Sequence, residues 1–279
     1  MYHNRALRLV EAPLAEPLDL AEVKNHLRVT ITNDDSLISA LITAARERVE
    51  SYLSRALITQ TWLMTIDQWP IILDRFPRSD VMDLPFAPLQ CVDSVTYVDV
   101  NQDTQTWDPE LYSVDNQTEP GRLMPAYQQV FPPILYVPDA IQVQYASGYA
   151  TAFTATAESA ALLAPSHNLT VGQTVRMYNS GGALPTGFTP NIDYYVVSVD
   201  GGSLSLSATA DGDAIVPSAV GSGTSYLGMV PRSILQAILL MVGALYENRE
   251  AFITGARVVS IEIDMGVEYL LAAYKLYSF

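Results

Sequence analysis

The chain has 279 residues and a formal net charge of -15, from 15 Lys and Arg against 30 Asp and Glu. That balance excludes an adhesive surface for nucleic acid or anionic lipid, since both need clustered cations and no run of basic residues here exceeds a pair. With 49% hydrophobic and only 16% charged residues, the chain can bury the core of one large or two ordinary domains.

The opening segment MYHNRALRLVEAPLAEP has no long apolar stretch and no cleavage-site pattern. No secretory signal is expected, and the chain reads as a soluble protein made in a cytoplasm. The first predicted element starts at Asp19, an N-cap with Glu22 in capping-box position and Leu18 and Val23 as a hydrophobic staple. Leu20, Val23 and Leu27 then share one face, which predicts a short helix over about residues 20–28. After the polar turn Thr32-Asn33-Asp34-Asp35, a wide stripe of Leu37, Leu41, Ala45, Val49 and Leu53, flanked by Ile38, Ile42 and Tyr52, predicts a long amphipathic helix. Asp34 and Asp35 suit its positive end, with Arg48 and Arg55 toward its negative end.

From about residue 58 the period changes to two. Thr59–Ile66, Val92–Val100 and Ala140–Tyr145 alternate, and prolines at 70, 77, 85, 88, 120, 132 and 133 punctuate them. A small antiparallel β unit carried on the helices is expected.

Residues 152–228 differ in kind. They hold one basic residue, Arg176, against Glu158, Asp193, Asp200, Asp211 and Asp213, and are rich in Ala, Gly, Ser and Thr. Strands are expected at Val171–Tyr178 and Tyr194–Val199. The turn Asp200-Gly201-Gly202 before Leu204-Ser205-Leu206 signals a hairpin. The segment reads as a compact β domain inserted into a loop. Its aromatics (Phe153, Tyr178, Phe188, Tyr194, Tyr195, Tyr226) form no stacking platform, because Tyr194 and Tyr195 point to opposite faces of one strand.

Helical period returns at Pro231, a favoured first helical position. Ile234, Leu235, Ile238, Leu239, Val242 and Leu245 make a helix apolar around most of its circumference, to be buried in the subunit and against its neighbours. The apolar run from Ile234 to Tyr246, broken by Gln236, is too short to span a bilayer. Val259, Ile261, Ile263 and Met265 alternate with polar residues, and Val267, Leu270, Leu271, Tyr274 and Tyr277 then return to helical spacing, with Phe279 last.

Chemistry-bearing patterns are weak. Cys91 is the single cysteine, so neither a disulfide within the chain nor a Cys/His zinc site is available. His26 and His167 read as solvated, and Cys91 as a small half-buried strand residue. Asp99, Asn101, Asp103 and Glu110 mimic positions 1, 3, 5 and 12 of a calcium loop, but Thr104 stands where the sharp turn needs Gly and the flanks are strands, so a polar hairpin is expected. Asp211-Gly212-Asp213 is a turn, and Gly221-Ser222-Gly223 opens no helix that could cradle phosphate. Walker A, HExxH and GxSxG patterns are absent. No cofactor, metal or catalytic residue is expected, and the chain reads as no enzyme.

Four segments, in order, resemble the head-tail connector (adaptor) family of long-tailed bacteriophages and gene transfer agents: LDLAEVKNHLRV at 18–29, DDSLISALITAARERVESYLSRALITQTW at 34–62, SILQAILLMVGALYENRE at 233–250 and MGVEYLLAAYKLY at 265–277. VDSVTYVD at 92–99, LYSVDNQTEPGRLMPAY at 111–127 and IQVQYASGY at 141–149 extend it. The resemblance implies an α+β subunit with a connector core in two parts (1–151 and 229–279) around the inserted β domain (152–228). Family members usually run from the Gly-Tyr strand end directly into the long helix, without the insert, which is itself similar to a small β module of phage structural proteins through IDYYVVSVDGGSLSLSATADGDAI at 192–215. It also implies a virion protein of the neck, a dodecameric ring beneath the portal and above a head-tail stopper or tail-completion protein. Genomic DNA would pass through the ring without specific binding, and no membrane is involved. Val267, Leu270, Leu271, Tyr274, Tyr277 and Phe279 are then the expected portal-docking residues, against the alternative that this segment folds back on its own subunit. The rival readings are another neck protein, such as a stopper, and a carbohydrate-binding or adhesin-like module built on the insert.

Overall fold

The computed structural model describes residues 5–70, 80–165, 167, 169–180, 182–190, 192–248 and 265–276. Strand β1 (Arg5–Glu11) leads into helices α1 (Leu20–Leu27) and α2 (Asp35–Leu53). Strands β2 (Gln60–Ile66), β3 (Met82–Leu84), β4 (Leu89–Val98), β5 (Thr104–Thr106), β6 (Tyr112–Asp115), β7 (Gly121–Pro125) and β8 (Ile141–Ser147) follow. Next come β9 (Ala150–Ala155), β10 (Leu162–Leu163), β11 (Thr174–Ser180), β12 (Tyr194–Asp200), β13 (Ser203–Ser207) and β14 (Thr224–Gly228). Helices α3 (Arg232–Glu247) and α4 (Met265–Leu271) close the described chain, with a 3-10 turn at Ala272–Tyr274. The architecture is α+β.

Local chemistry sets the helices much as the sequence predicts. The Asp19 carboxylate accepts the Glu22 N–H at 2.6 Å and so caps α1. At the start of α2 the two aspartates also fasten its neighbours: Lys24 of α1 reaches Asp35 at 2.5 Å, and the Tyr246 hydroxyl of α3 donates to Asp34 at 2.5 Å. The buried stripe of α2 runs through Ile38, Ile42, Ala45, Val49 and Leu53, while Leu37 and Leu41 are only half-buried. The stripe is thus rotated from the expected one, and the rotation brings Arg46 and Glu50 inside. Pro231 sits one position earlier than predicted, as the residue before α3, where its carbonyl accepts from Ile234 and Leu235.

The strands form three units. An antiparallel sheet has the order β1-β2-β8-β4-β5, and a second small sheet has the order β3-β7-β6. Met64, Val95, Val143, Tyr145, Leu123, Trp69 and Trp107 fill the core of these two. This β portion therefore has a core of its own and is larger than a small unit resting on helices. β1 was not anticipated: it lies on the sheet's rim, and its apolar signal is reduced to Leu7 packing inward.

The third unit is a closed barrel in the order β10-β13-β12-β11-β14-β9. The β12–β13 hairpin turns through Gly201, whose φ of +56° suits a residue without a side chain, as the sequence signal requires. Phe153, Val175, Met177, Tyr194, Val196, Leu206 and Leu227 fill the barrel. Alternation sends their neighbours outward, so Tyr178 and Tyr226, paired across β11 and β14, lie in the same core as α2 and α3. The barrel begins at Ala150, slightly before the expected boundary, and Ala150 itself joins the helical core. Gly228 pairs with Ala150, so the chain enters and leaves the barrel at one place.

Helix α3 is the centre of the helical core. Ile234, Ala237, Ile238 and Val242 are fully buried and Leu239 is 8% exposed. Leu239→Asp would put a carboxylate among apolar side chains, at a cost of several kcal/mol. Loss of the cooperative thermal transition is expected by circular dichroism; a wild-type melting curve would contradict this packing.

Candidate functional site

The C-terminal end of α2 joins the helices to the five-stranded sheet, the β6–β7 connection and the C-terminal segment. Arg46 donates to Glu50 at 2.6 Å and to Glu16 at 2.8 Å. The other Glu50 oxygen accepts the Leu57 N–H at 2.8 Å and the Gln60 side-chain amide at 2.7 Å, which fixes the path from helix to β2. Burial pushes the Glu50 carboxyl above its ordinary range, against the pull of Arg46 and these two donors. Burial alone would lower the Arg46 guanidinium, but Glu50 and Glu16 hold it above its usual value. Beyond the helix, Arg55 donates to the Tyr274 carbonyl at 2.5 Å and to Glu119 at 2.6 Å, and lies 5.9 Å from the centre of the Tyr149 ring. Burial raises the Tyr149 hydroxyl to about 12, opposed by Arg55.

This joint holds the C-terminal segment, and the geometry corrects part of the docking expectation. Val267 and Leu271 are buried in the helical core, and Leu270 and Tyr274 pack against it. The Leu276 N–H donates to the Leu53 carbonyl at 3.0 Å, and Lys275 sits 4.1 Å over the Tyr52 ring. An i, i+3, i+4 stripe next to an exposed flank of α3 is satisfied within its own subunit first. The outward residue is Tyr269, 84% exposed, which the stripe argument passed over because it lies between the apolar positions. Tyr277 and Phe279 lie outside the described residues, as does the alternating segment at 259–263.

Of the residues expected for burial and subunit packing, Ile234, Leu235, Ile238, Leu239 and Val242 are buried by their own chain. Leu245 is half-buried, and Leu240 is exposed.

The minor motifs fall in ordinary places. The Asp99 carboxylate accepts the N–H groups of Asn101 and Asp103 and the Gln105 amide, so this acidic run is the β4–β5 hairpin. His26 is exposed and Cys91 half-buried. His167 is less solvated than expected: its Nδ1 accepts the Leu169 N–H, and it lines a cleft of about 350 Å³ with Gln90, Tyr149, Thr151 and Gln173. Phe153, Tyr178, Phe188, Tyr194 and Tyr226 are all buried, which leaves no aromatic platform on the barrel among them. No cluster of three His, Cys, Asp or Glu suited to a metal, and no helix long and apolar enough to cross a membrane, occurs among the described residues.

Three variants test the joint. Glu50→Ala would strand the Leu57 N–H and the Gln60 amide and take from Arg46 its buried partner, at about 3–5 kcal/mol by denaturant unfolding. Glu50→Gln keeps an acceptor and should cost clearly less; equal losses would show that charge, and not hydrogen bonding, holds the joint. Truncation after Gly266 removes Val267, Leu271 and the Leu276–Leu53 bond, and should lower the melting temperature. An unchanged melting temperature would show that the segment adds nothing to the core.

Residues 17–111 match the family model of phage gp6-like head-tail connector proteins, a span from just before α1 to the 3-10 turn that follows β5. No curated protein matches the sequence. Among solved structures, the fold is similar to a chain in the neck of an empty GTA particle computed with C6 symmetry, at TM-score 0.53 and 16% identity, covering 98% of this chain and 97% of that one. A chain of the native gene transfer agent (GTA) virion gives TM-score 0.51 and 17% identity, with 98% and 96% covered. A chain of the native GTA neck computed with C12 symmetry gives 0.51 and 15%, with 98% and 97% covered. Over residues 17–111 the sequence is similar to the phage gp6-like head-tail connector proteins, and along nearly all its length the fold is similar to chains of gene transfer agent particles.

Proposed function

We propose that the chain is a structural subunit of the virion neck, which assembles as a ring beneath the portal and joins the head to the tail. The observation that carries this reading is the connector-family match over residues 17–111. The fold shared with neck chains solved under C6 and C12 symmetry supports it. Twelve copies are the proposed stoichiometry, with the portal on one side, a stopper or tail-completion protein on the other, and DNA passing through the centre. A net charge of -15 per copy suits that passage, because an acidic sleeve repels phosphate and does not retain it. The role is non-enzymatic.

Within this reading the chain divides into a connector core, residues 1–151 and 229–279, and an inserted barrel, residues 152–228. The Gly228–Ala150 pairing supports the division, since an insertion that starts and ends at one place leaves the host fold continuous. The Asp193 carboxylate, which binds Arg176 of β11 and Arg232 of α3, fixes the barrel against the second part of the core. The portal contact is assigned to the C-terminal segment, now through its outward side, which carries Tyr269, and through Tyr277 and Phe279 after it in sequence.

Deleting the coding sequence from the virus or agent that carries it should leave heads and tails that accumulate separately in electron micrographs, with joining restored when the purified chain is added. Complete particles in the deletion strain would overturn the reading.

A further inference from the structure

We propose that neighbouring copies in the ring join through the two open edges of the five-stranded sheet, the β1 edge of one copy meeting the β5 edge of the next. The proposal rests on the ring reading above and names the surface that builds it. Among the described residues, the strand order β1-β2-β8-β4-β5 leaves one strand paired on a single side at each end of the sheet. Unpaired strand edges readily accept another strand.

The two edges differ, and they differ in a complementary way. At the β1 end, Leu9 and Val10 are each 42% exposed beside the exposed Arg8. At the β5 end, Thr104–Thr106 are fully outward. Val100 is 59% exposed there, and the bond from the Leu135 N–H to the Val98 carbonyl, 3.0 Å, holds Tyr136, 79% exposed, beside the same hairpin. Each end therefore offers apolar side chains. The rims differ in charge: β1 carries Arg5 and Arg8 against Glu11, whereas between Asp93 and Glu119 the sequence has no Lys or Arg and Asp103, Asp108 and Glu110 are exposed around β5.

Copies that each carry -15 repel one another over most of their surface, so contact is favoured where the exposed Arg8 of β1 meets the acidic β5 rim. Because the two patches are unlike, the contact is head-to-tail; such contacts generate rings when the rotation closes, whereas a two-fold dimer needs one patch facing itself.

Charge reversal on the full chain tests this by sedimentation velocity at low salt, with circular dichroism to check the fold. Arg8→Glu and Asp103→Lys should each raise the concentration needed for assembly by about tenfold or more. The double variant, and an equimolar mixture of the two single variants, should regain assembly. Rings from either single variant at wild-type concentration, or loss in both without rescue, would overturn the proposal while leaving the ring reading intact. A monomeric wild-type chain would instead overturn the ring reading, and this proposal with it.

Discussion

The Glu50 carboxylate is the point on which the described fold depends. One oxygen holds Arg46, and the other accepts from the Leu57 backbone and the Gln60 side chain. A helix that ends on the surface leaves its outgoing chain free to choose a direction. Here the last turn of α2 specifies that direction, because the departing strand supplies two donors to a buried acid that lacks enough water to satisfy it. A buried ion pair contributes little net stability, but it penalises any arrangement that leaves one member alone. Its role is therefore orientation of the five-stranded sheet relative to the helices. Five residues after Glu50, Arg55 repeats the device by gripping the Tyr274 carbonyl and Glu119, which adds the C-terminal segment and the β6–β7 connection to the same joint.

The barrel is held by a different principle. Its own core is satisfied by inward residues of period two, which would allow it to stand apart. The outward pair Tyr178 and Tyr226 ties it to the helices instead, and Asp193 adds a charged link through Arg176 and Arg232. The geometry reconciles two views of residues 152–228: the ends meet as they should in an insertion, yet the packed outer face makes the barrel part of one body with the helices. A fold similar over 98% of the chain to neck proteins fits that integration.

Much of this was legible in the sequence. Caps, staples and periodicity located α1, α2 and α3, and the Gly201-Gly202 turn located the β12–β13 hairpin, because in each case the signal is local. Three features were not legible, each for a physical reason. The β1 strand pairs with β2, more than fifty residues away, and shows only one inward leucine. The rotation of α2 was hidden because Arg46 and Glu50 look like solvent-facing residues unless their partners at Glu16, Leu57 and Gln60 are known. The C-terminal stripe was read correctly as apolar, but an apolar stripe does not say whose core it enters. Tertiary contact gives Val267 and Leu271 to their own subunit.

In the proposed role the chain closes into a ring, and a closed ring demands a head-to-tail interface that an acidic chain can form without repelling its own copies. The structure offers buried helices, a rigid joint and a sheet with two unlike ends, which suits a subunit whose function is shape. The most direct test is a single-particle reconstruction of the purified chain, alone and in complex with its portal. The account predicts a closed ring with cyclic symmetry whose subunits keep the helix–sheet joint at Glu50 intact. A monomer of 30.5 kDa, or a two-fold dimer, in both samples would contradict it.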